Sequence, residues 1–312
     1  FNLVLGPNGS GKTSLIEALL KLRTLAALPA TRETDSRRSD APQIVFHFAP
    51  PFEAVRVTLG CNADELVCNQ LVVDHPDSPE GESLWAGLRP RLQSIRAHLF
   101  DHYAMALPAK RSDGIELSSN GGNLAAVLAG WQATHPAAFT SVEAEFVRLM
   151  PEFSGLELKT DVAGRIELNA RLKDNGHDLI SADNLSQGVL YLLGILTLSF
   201  VPTPPAVVCL EEADRGMHPR SLREVRDALY RLSYPQDAGM ERPAAQVITT
   251  THSPYLLDQF KEHPEEVILA SKHGRAATFE RLSDRGDLLE LMKEAHLGDL
   301  WYSGILGGVP GE

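Results

Sequence analysis

Short apolar runs alternate with longer runs that are predicted to be helices near both ends of the chain. The short runs are typical of buried strands, because they contain consecutive apolar residues and stop at glycine, acidic or polar residues. They are Phe1–Leu5, Ala206–Leu210, Gln246–Thr251 and Glu265–Ala270. The runs with helical spacing are Ser14–Leu28, Gln187–Phe200 and Ser221–Leu232. Strands that alternate with helices predict an α/β fold in which helices flank a parallel sheet.

The middle of the chain interrupts this alternation. Two pairs of apolar runs joined by short turns predict antiparallel hairpins. They are Ile44–Phe48 with Ala54–Leu59 and Leu156–Asp161 with Arg165–Leu172. We therefore expect an antiparallel-β and helical insertion inside a split core. The predicted division is a core at 1–30 and 183–300, an insertion at 31–182 and a tail at 301–312.

Composition and charge narrow the class of protein. Apolar residues make up 43% and charged residues 22% of the 312 positions, which excludes a mainly disordered chain. The 29 basic and 41 acidic residues leave a net charge of −12, which argues against a general DNA coat although it allows a local basic patch. The chain starts at Phe1 inside an apolar run, so we expect missing upstream sequence.

Location is predicted from what the sequence lacks. It contains no apolar run of the roughly 18 residues that a membrane span requires, and it shows no signal peptide. Its three cysteines, Cys61, Cys68 and Cys209, are too few for a disulfide framework and have no metal-ligand spacing. We expect free thiols in a reducing compartment, and so a cytoplasmic protein without a membrane partner.

A glycine-rich loop after the first predicted strand is the strongest chemical signal. Residues 6–13 match the pattern G-x-x-x-x-G-K-[ST], in which backbone N–H groups surround phosphate oxygens at the start of a helix. Lys12 is predicted to reach the β- and γ-phosphates, and the hydroxyl of Thr13 to bind Mg²⁺. The alternative to a phosphate-binding loop is a glycine-rich turn whose lysine is merely solvated. The predicted nucleotide-binding residues are Gly6, Pro7, Asn8, Gly9, Ser10, Gly11, Lys12, Thr13 and Ser14.

Three further motifs lie where ligands bind in α/β sheets, at the ends of strands or the start of a helix. Glu211 and Glu212 follow a predicted strand. One carboxylate there can lie near Mg²⁺ while the other polarises the attacking water. Ser186 is placed to cap the helix that begins at Gln187. His252 follows another strand and is placed to contact a γ-phosphate or a water. Taken alone, each motif is better explained by an ordinary structural feature, which is an acidic loop, a capped helix or a structural histidine respectively.

In this order, the motifs resemble the ATP-binding-cassette class of P-loop ATPases. GPNGSGKTS resembles the Walker A loop, LSQG the signature motif, VVCLEEADRGMHP the Walker B strand with its following loop, and TTTHSP the switch-histidine loop. The wording of the last two is similar to AAA-type ATPases of the RecF/OLD/SMC group. The segment Ser119–Leu128 and the ending LGDLWYSGILGG resemble other parts of that group, so the resemblance covers nearly the whole chain.

The resemblance implies a P-loop NTPase with a core like that of the ATP-binding-cassette proteins, which binds ATP and Mg²⁺ and hydrolyses ATP. It implies a head-to-tail homodimer in which ATP on one Walker A loop meets the other subunit's signature, Ser186, Gln187 and Gly188. It assigns Glu211 to magnesium together with Thr13. The implied catalytic residues are Glu212, His252 and Lys12. Asp214 falls in a loop expected to cross the dimer interface.

The chain departs from the pattern at several points. Glu211 stands where aspartate is commoner, so its contact with Mg²⁺ is expected to run through water. No glutamine can be assigned to the Q-loop among Gln43, Gln70, Gln93 and Gln132. A transporter ATPase normally continues after its signature with a polar helix, whereas here the run is VLYLLGILTLSF. The OLD-type nuclease domain is also absent, which predicts an ATPase alone.

Three functions stay open on the sequence. The first is an ATP-driven switch that dimerises around ATP and drives or gates a separate effector, a nuclease or toxin, or a DNA transaction, in DNA maintenance or anti-phage defence. The second is a nucleotide-gated interaction module with little hydrolysis, and the third a transporter ATPase subunit. A small-molecule kinase fits less well because it has no use for the signature. Arg32, Arg37 and Arg38 either touch DNA phosphates or are solvated.

Overall fold

The computed structural model describes residues 1–28, 43–62, 67–111, 116–174, 178–274 and 276–309. Arg32, Arg37 and Arg38, which either touch DNA phosphates or are solvated, lie outside these residues. The strands are β1 Asn2–Leu5, β2 Gln43–His47, β3 Arg56–Asn62, β4 Val67–Asp74, β5 Arg96–His98, β6 Ala109–Lys110, β7 Phe153–Thr160, β8 Arg165–Leu172, β9 Leu179–Ser181, β10 Val207–Leu210, β11 Gln246–Thr251, β12 Val267–His273 and β13 Ala276–Arg281. The α-helices are α1 Lys12–Ala26, α2 Pro79–Gln93, α3 His102–Ala106, α4 Leu124–Thr134, α5 Pro136–Leu149, α6 Gln187–Ser199, α7 Leu222–Ser233, α8 Pro254–Leu257, α9 Leu288–Glu294 and α10 Leu297–Tyr302.

A six-stranded sheet has the order β13-β12-β1-β11-β10-β5. β1 pairs in parallel with both β11 and β12, so that Leu3 lies opposite Thr249 on one side and Val267 on the other. β13 pairs antiparallel with β12 and forms one edge of this sheet. The predicted α/β fold with a parallel sheet is therefore confirmed, and the sheet places the residues that follow β1, β10 and β11 side by side.

Two antiparallel sheets come from the middle of the chain. β2, β3 and β4 form a three-stranded sheet, and β6, β8 and β7 form a second sheet in which β9 also pairs with β8. Both predicted hairpins are confirmed, because β2 pairs with β3 and β7 pairs with β8. The sequence pattern did not predict β4, which pairs with β3.

The chain divides into two compact units, each described by itself. The first consists of Phe1–Lys12, Ala97–Pro204 and Val208–Glu312, and the second of Thr13–Arg96 and Pro205–Val207. Two buried apolar clusters stabilise the first unit, and Trp301 and Leu306 from the predicted tail lie in one of them. One cluster stabilises the second unit, where residues of α1 and α2 pack against β3 and β4.

Two helices of the first unit differ in their pattern of apolar residues because they are buried to different extents. α7 buries Leu222, Val225, Leu229 and Leu232 on one face, which is the spacing that predicts an amphipathic surface helix. α6 is apolar on all sides because nearly all of it is buried, from Val189 through Ser199. The apolar run after the signature is thus core packing, and it holds the start of α6 in a fixed position.

The cysteines only partly match the expectation of free thiols. Cys209 on β10 is a buried free thiol, and burial raises its pKa to about 12. Cys68 is disulfide-bonded, so the expectation is wrong at that position. Among the residues that the structure describes, no helix is long and apolar enough to cross a bilayer.

Candidate functional site: a phosphate loop beside two strand ends

The loop between β1 and α1 has the backbone that a phosphate site requires. Gly11 has φ +95°, and a Cβ there would lie 2.9 Å from the Cβ of Ala277. A Cβ on Gly6 would lie 2.1 Å from the carbonyl oxygen of Ala270. A side chain at either position would collide with β12 or β13, so the close packing of this loop requires glycine.

Lys12 is almost completely buried in this loop. Its side chain folds back so that Nζ donates hydrogen bonds to the carbonyl oxygens of Gly6, at 2.8 Å, and Pro7, at 2.9 Å. Burial lowers the pKa of Lys12, and the nearby carboxylates of Glu212 and Glu211 oppose that shift. An ammonium group held among carbonyl dipoles and acids is placed to bind an anion more strongly than a solvated lysine does.

Other groups of the loop also suit a phosphate. The hydroxyl of Ser10 is fully buried and has no hydrogen-bond partner, which is uncommon for a buried polar atom. Asn8 and Gly9 at the tip of the loop are exposed, as are Thr13 and Ser14 in the first turn of α1. Amide groups at the start of a helix are a favourable place for an anion. The residues present therefore fit a nucleoside triphosphate.

Glu211 and Glu212 form the turn that follows β10. The N–H of Glu211 donates to the carbonyl oxygen of His98 at 2.8 Å, and the N–H of Glu212 donates to Oγ1 of Thr250 at 3.0 Å. Glu212 has φ +52° and is the one non-glycine residue with positive φ in the described part of the chain. Its Oε2 lies 3.5 Å from Nη1 of Arg215. Both glutamates are half-buried, and they lie close enough to Lys12 to oppose the lowering of its pKa by burial.

His252 comes directly after β11. Partial desolvation lowers the pKa of its imidazole, although the residue as a whole is exposed, and the charge of Lys12 lowers it further. Asp214 and Glu212 oppose that shift. These mutual effects mean that the structure brings together four of the predicted residues, Lys12, Glu211, Glu212 and His252.

The signature residues make a different contact. Oγ of Ser186 accepts a hydrogen bond from the N–H of Val189 at 3.4 Å, so Ser186 caps α6 as predicted. A Cβ on Gly188 would lie 2.5 Å from the carbonyl oxygen of Gly216, and Gln187 packs against Gly216 from the same helix start. The signature therefore packs against the loop that follows the two glutamates.

Sequence reasoning missed several residues at this site. A small surface pocket lies beside the glutamates. It is lined by Leu99, Phe100, Tyr191, Ile195, Leu210, Glu211, Glu212, Ala213 and Arg215. Arg215 pairs with Glu212, and Thr250 and Thr251 bond to the turn after β10. The row of three threonines before His252 was the available signal, because buried hydroxyl groups need partners.

The predicted metal ligands, Glu211 and Thr13, offer oxygen atoms as donors. In the described residues no group of three or more His, Cys, Asp or Glu side chains is arranged to hold an ion. Mg²⁺ usually binds one or two carboxylates together with substrate phosphates and water, rather than a cage of side chains. Taken each by itself, the carboxylate of Glu211 and the hydroxyl of Thr13 are oxygen donors of the kind that Mg²⁺ prefers, so their chemistry fits a magnesium that arrives with a nucleotide.

Two solved structures are similar to this chain. The Smc head domain with an extended coiled coil, bound to the C-terminal domain of ScpA, from Pyrococcus furiosus has 15% sequence identity and a TM-score of 0.55, covering 94% of this chain and 93% of that chain. The SMC head domain from Thermotoga maritima also has 15% identity, with a TM-score of 0.49, and covers 90% of this chain and 89% of that chain. At 15% identity the likeness to the Pyrococcus furiosus structure shows the fold alone. No curated protein matches the sequence.

A family model matches the sequence itself. It covers residues 76–258, more than half of the chain, from before α2 to the end of α8. This match and the SMC-head fold confirm the predicted resemblance to ABC-like P-loop ATPases of the RecF/OLD/SMC group. The chain belongs to the family described as AAA domain, putative AbiEii toxin, Type IV TA system.

Proposed function

We propose that this chain is a Mg²⁺-dependent ATPase that closes as a homodimer around ATP and reopens when ATP is hydrolysed. The observation that carries this proposal is the convergence of Lys12, Glu212 and His252 from three neighbouring strands of one sheet. A positive group, a carboxylate and an imidazole that follow neighbouring strands are the groups that phosphoryl transfer to water uses.

Each side chain has one task in this mechanism. Lys12 and the amides of its loop bind the β- and γ-phosphates, and the exposed first turn of α1 contributes Thr13 and Ser14. Glu212 orients the attacking water and accepts its proton, while His252 contacts the γ-phosphate. Mg²⁺ bound with the nucleotide supplies positive charge that neutralises the charge developing on the phosphates. Glu211 and Thr13 offer oxygen atoms for that ion.

The dimer part of the proposal assigns Ser186, Gln187 and Gly188 to the partner subunit's nucleotide. Gly188 packs on Gly216, which supports a continuous surface formed by the signature and the loop after Glu212. The capped start of α6 presents backbone amides, which favour an anion. ATP would therefore join two copies by being bound on both sides.

Hydrolysis is tested by phosphate release from Mg-ATP. Glu212→Gln keeps the shape of the side chain and removes its basicity, so turnover should fall by about 100-fold or more while ATP still binds. Glu262→Gln, at an exposed acid outside the site, is the matched control and should match wild type. Wild-type turnover in Glu212→Gln would overturn the mechanism. Tight ATP binding by wild type without phosphate release, even with partner or DNA, would favour the nucleotide-gated module.

The dimer is tested by the molar mass of Glu212→Gln in solution, because this variant should keep ATP bound. Mass should double when ATP and Mg²⁺ are added. Gly188→Ala should prevent doubling without changing ATP binding by the single chain, since the added Cβ collides with the carbonyl oxygen of Gly216. A mass that never changes with ATP would remove the homodimer from the proposal.

The biological setting is part of the proposal. We propose a cytoplasmic ATPase that gates a separate effector, a nuclease or a toxin, in defence against phage, with DNA as a second candidate partner. The word toxin in the family description supports an effector of that kind. The division into a split core at 1–30 and 183–300, an insertion at 31–182 and a tail at 301–312 stays a prediction. Co-purification with a membrane protein would revive the transporter alternative.

A further inference from the structure

Three consecutive threonines end β11, and all three are buried. Thr249 is 1% exposed, Thr250 3% and Thr251 0%. A buried hydroxyl group costs free energy unless it forms a hydrogen bond, so the partners of these groups are informative. All three partners lie on β10 or in the turn that follows it.

The partners advance along that segment two residues at a time. Oγ1 of Thr249 donates to the carbonyl oxygen of Leu210 at 2.9 Å. Oγ1 of Thr250 accepts from the N–H of Glu212 at 3.0 Å. Oγ1 of Thr251 donates to Oδ1 of Asp214 at 2.5 Å. The hydroxyl groups of Thr250 and Thr251 therefore hold the turn that carries Glu212 against the strand that leads to His252, whereas that of Thr249 bonds to β10 before the turn.

Thr251 has a second bond that fixes its role. Its Oγ1 also accepts a hydrogen bond from the N–H of Ser253 at 2.9 Å. A hydroxyl has one proton to donate, and an amide N–H can only donate, so the proton of Thr251 must point at Asp214. The backbone of His252 lies between Thr251 and Ser253. The Thr251 hydroxyl therefore restrains the chain on both sides of His252.

The Glu212 side of the connection is equally constrained. The N–H of Ala213 donates to the carbonyl oxygen of Thr250 at 3.2 Å, and the N–H of Arg215 donates to the carbonyl oxygen of Glu212 at 2.9 Å. These bonds hold Glu212 at its φ of +52°. Asp214 follows Glu212 by two residues, so the bond from Thr251 to Asp214 secures the far side of the same turn.

We propose that Asp214 and Thr251 form a positioning pair that sets the carboxylate of Glu212 and the imidazole of His252 at a fixed relation to each other. The pair acts through these two residues rather than on the nucleotide. It gives Asp214 a role within its own chain, in addition to its place in a loop expected at the dimer interface. The inference rests on the proposed function, because it presumes that Glu212 and His252 act on one γ-phosphate.

The experiment compares Thr251→Val with a control on the same strand. Valine keeps the shape of threonine and removes the hydroxyl group, so Asp214 loses its donor and Ser253 its acceptor. The turnover number should fall about 10- to 100-fold, as expected when reacting groups shift by about 1 Å, with KM for ATP nearly unchanged. Thr251→Ser should restore turnover. Thr249→Val removes an equally buried hydroxyl away from the loop, and should lower Tm with little change in turnover.

Asp214 provides the second arm. Asp214→Asn keeps an oxygen that accepts from Thr251 and should retain most turnover, whereas Asp214→Ala should match Thr251→Val. The double variant Asp214→Ala/Thr251→Val should be no slower than the worse single variant, as expected for two groups that act as one unit. Wild-type turnover in Thr251→Val, or an equal loss in Thr249→Val, would overturn the pair.

A readout that does not need hydrolysis separates the two proposals. Imidazole NMR signals of His252 in the nucleotide-free chain should shift in Thr251→Val and Asp214→Ala and stay in place in Thr249→Val. If wild type never hydrolyses ATP but these signals move as expected, the proposed function fails and the pair stands. If wild type hydrolyses ATP and His252 is unchanged in both variants, the pair fails and the proposed function stands.

Discussion

Gly11 of the phosphate loop packs directly against Ala277 of the edge strand β13, with room for a hydrogen atom and not for a methyl group. Gly11→Ala should therefore weaken ATP binding strongly, by about 10-fold or more, because the loop must shift to relieve both the collision and the strained φ. Titration calorimetry with ATP measures the change in Kd.

The double variant Gly11→Ala/Ala277→Gly separates these two causes. It removes the collision at 2.9 Å and leaves the φ of +95°, so it should recover part of the lost affinity. Gly286→Ala serves as the control, since a Cβ there has nothing within 4 Å. Unchanged affinity in Gly11→Ala would show that the loop does not bind phosphate in this conformation.

Lys12 should be essential for ATP affinity and not replaceable by arginine. Its buried Nζ reaches two carbonyl oxygens of its own loop, and a planar guanidinium does not fit that compact site. Lys12→Ala and Lys12→Arg should each weaken ATP binding by about 10-fold or more, while Lys21→Ala farther along α1 should not. Normal Kd values for ATP in both Lys12 variants would show that this lysine does not bind the nucleotide.

Arg215 should restrain Glu212 in the nucleotide-free chain. Their ion pair is about half exposed, at 47% and 44%, so it contributes little to stability and should respond to salt. Arg215→Ala should leave Tm nearly unchanged and raise turnover by up to about threefold, because Oε2 of Glu212 is released.

Salt provides the internal check on this prediction. Wild-type turnover should rise with ionic strength as the pair is screened, and turnover of Arg215→Ala should not. Arg285→Ala breaks a comparable surface pair with Asp287 and should retain the wild-type salt response. An identical salt response in Arg215→Ala would mean that Arg215 does not restrain Glu212.

Asp214→Asn should stabilise the protein near neutral pH. Burial raises the pKa of Asp214 above its ordinary value, so the folded chain binds that proton more tightly than the unfolded chain. By linkage, stability rises as pH falls through the raised pKa, and the ionised carboxylate lowers stability above it. The variant should therefore melt on the order of 2 °C higher at pH 7.5, with a gain that shrinks toward pH 4. A gain independent of pH would contradict this cause.

The sequence predicted those parts of the site that follow buried strands. β1, β10 and β11 are short apolar runs, and chemistry-bearing residues come directly after each, so Lys12, Glu211, Glu212 and His252 could be named from order alone. The sequence also predicted α7, because burial of one face of this helix leaves apolar residues at helical spacing. In each case burial leaves a local pattern.

The rest depends on contacts that no local pattern records. β13 is exposed along its whole length, so it has no apolar alternation, although it supplies Ala277 behind Gly11. The bonds from the threonines to Leu210, Glu212 and Asp214 require β10 and β11 to be neighbours in the sheet, which the sequence does not state. The packing of Gly188 on Gly216 likewise follows from the way α6 is buried.

The φ of +52° at Glu212 has a consequence for engineering. A non-glycine residue in this region costs about 1–3 kcal/mol relative to a relaxed backbone, and glycine would remove most of that cost. Glu212→Gly should therefore give a more stable protein that cannot hydrolyse ATP. A screen for thermal stability alone would therefore favour loss of this carboxylate, and stabilised designs that are meant to keep the proposed hydrolysis should leave this position untouched.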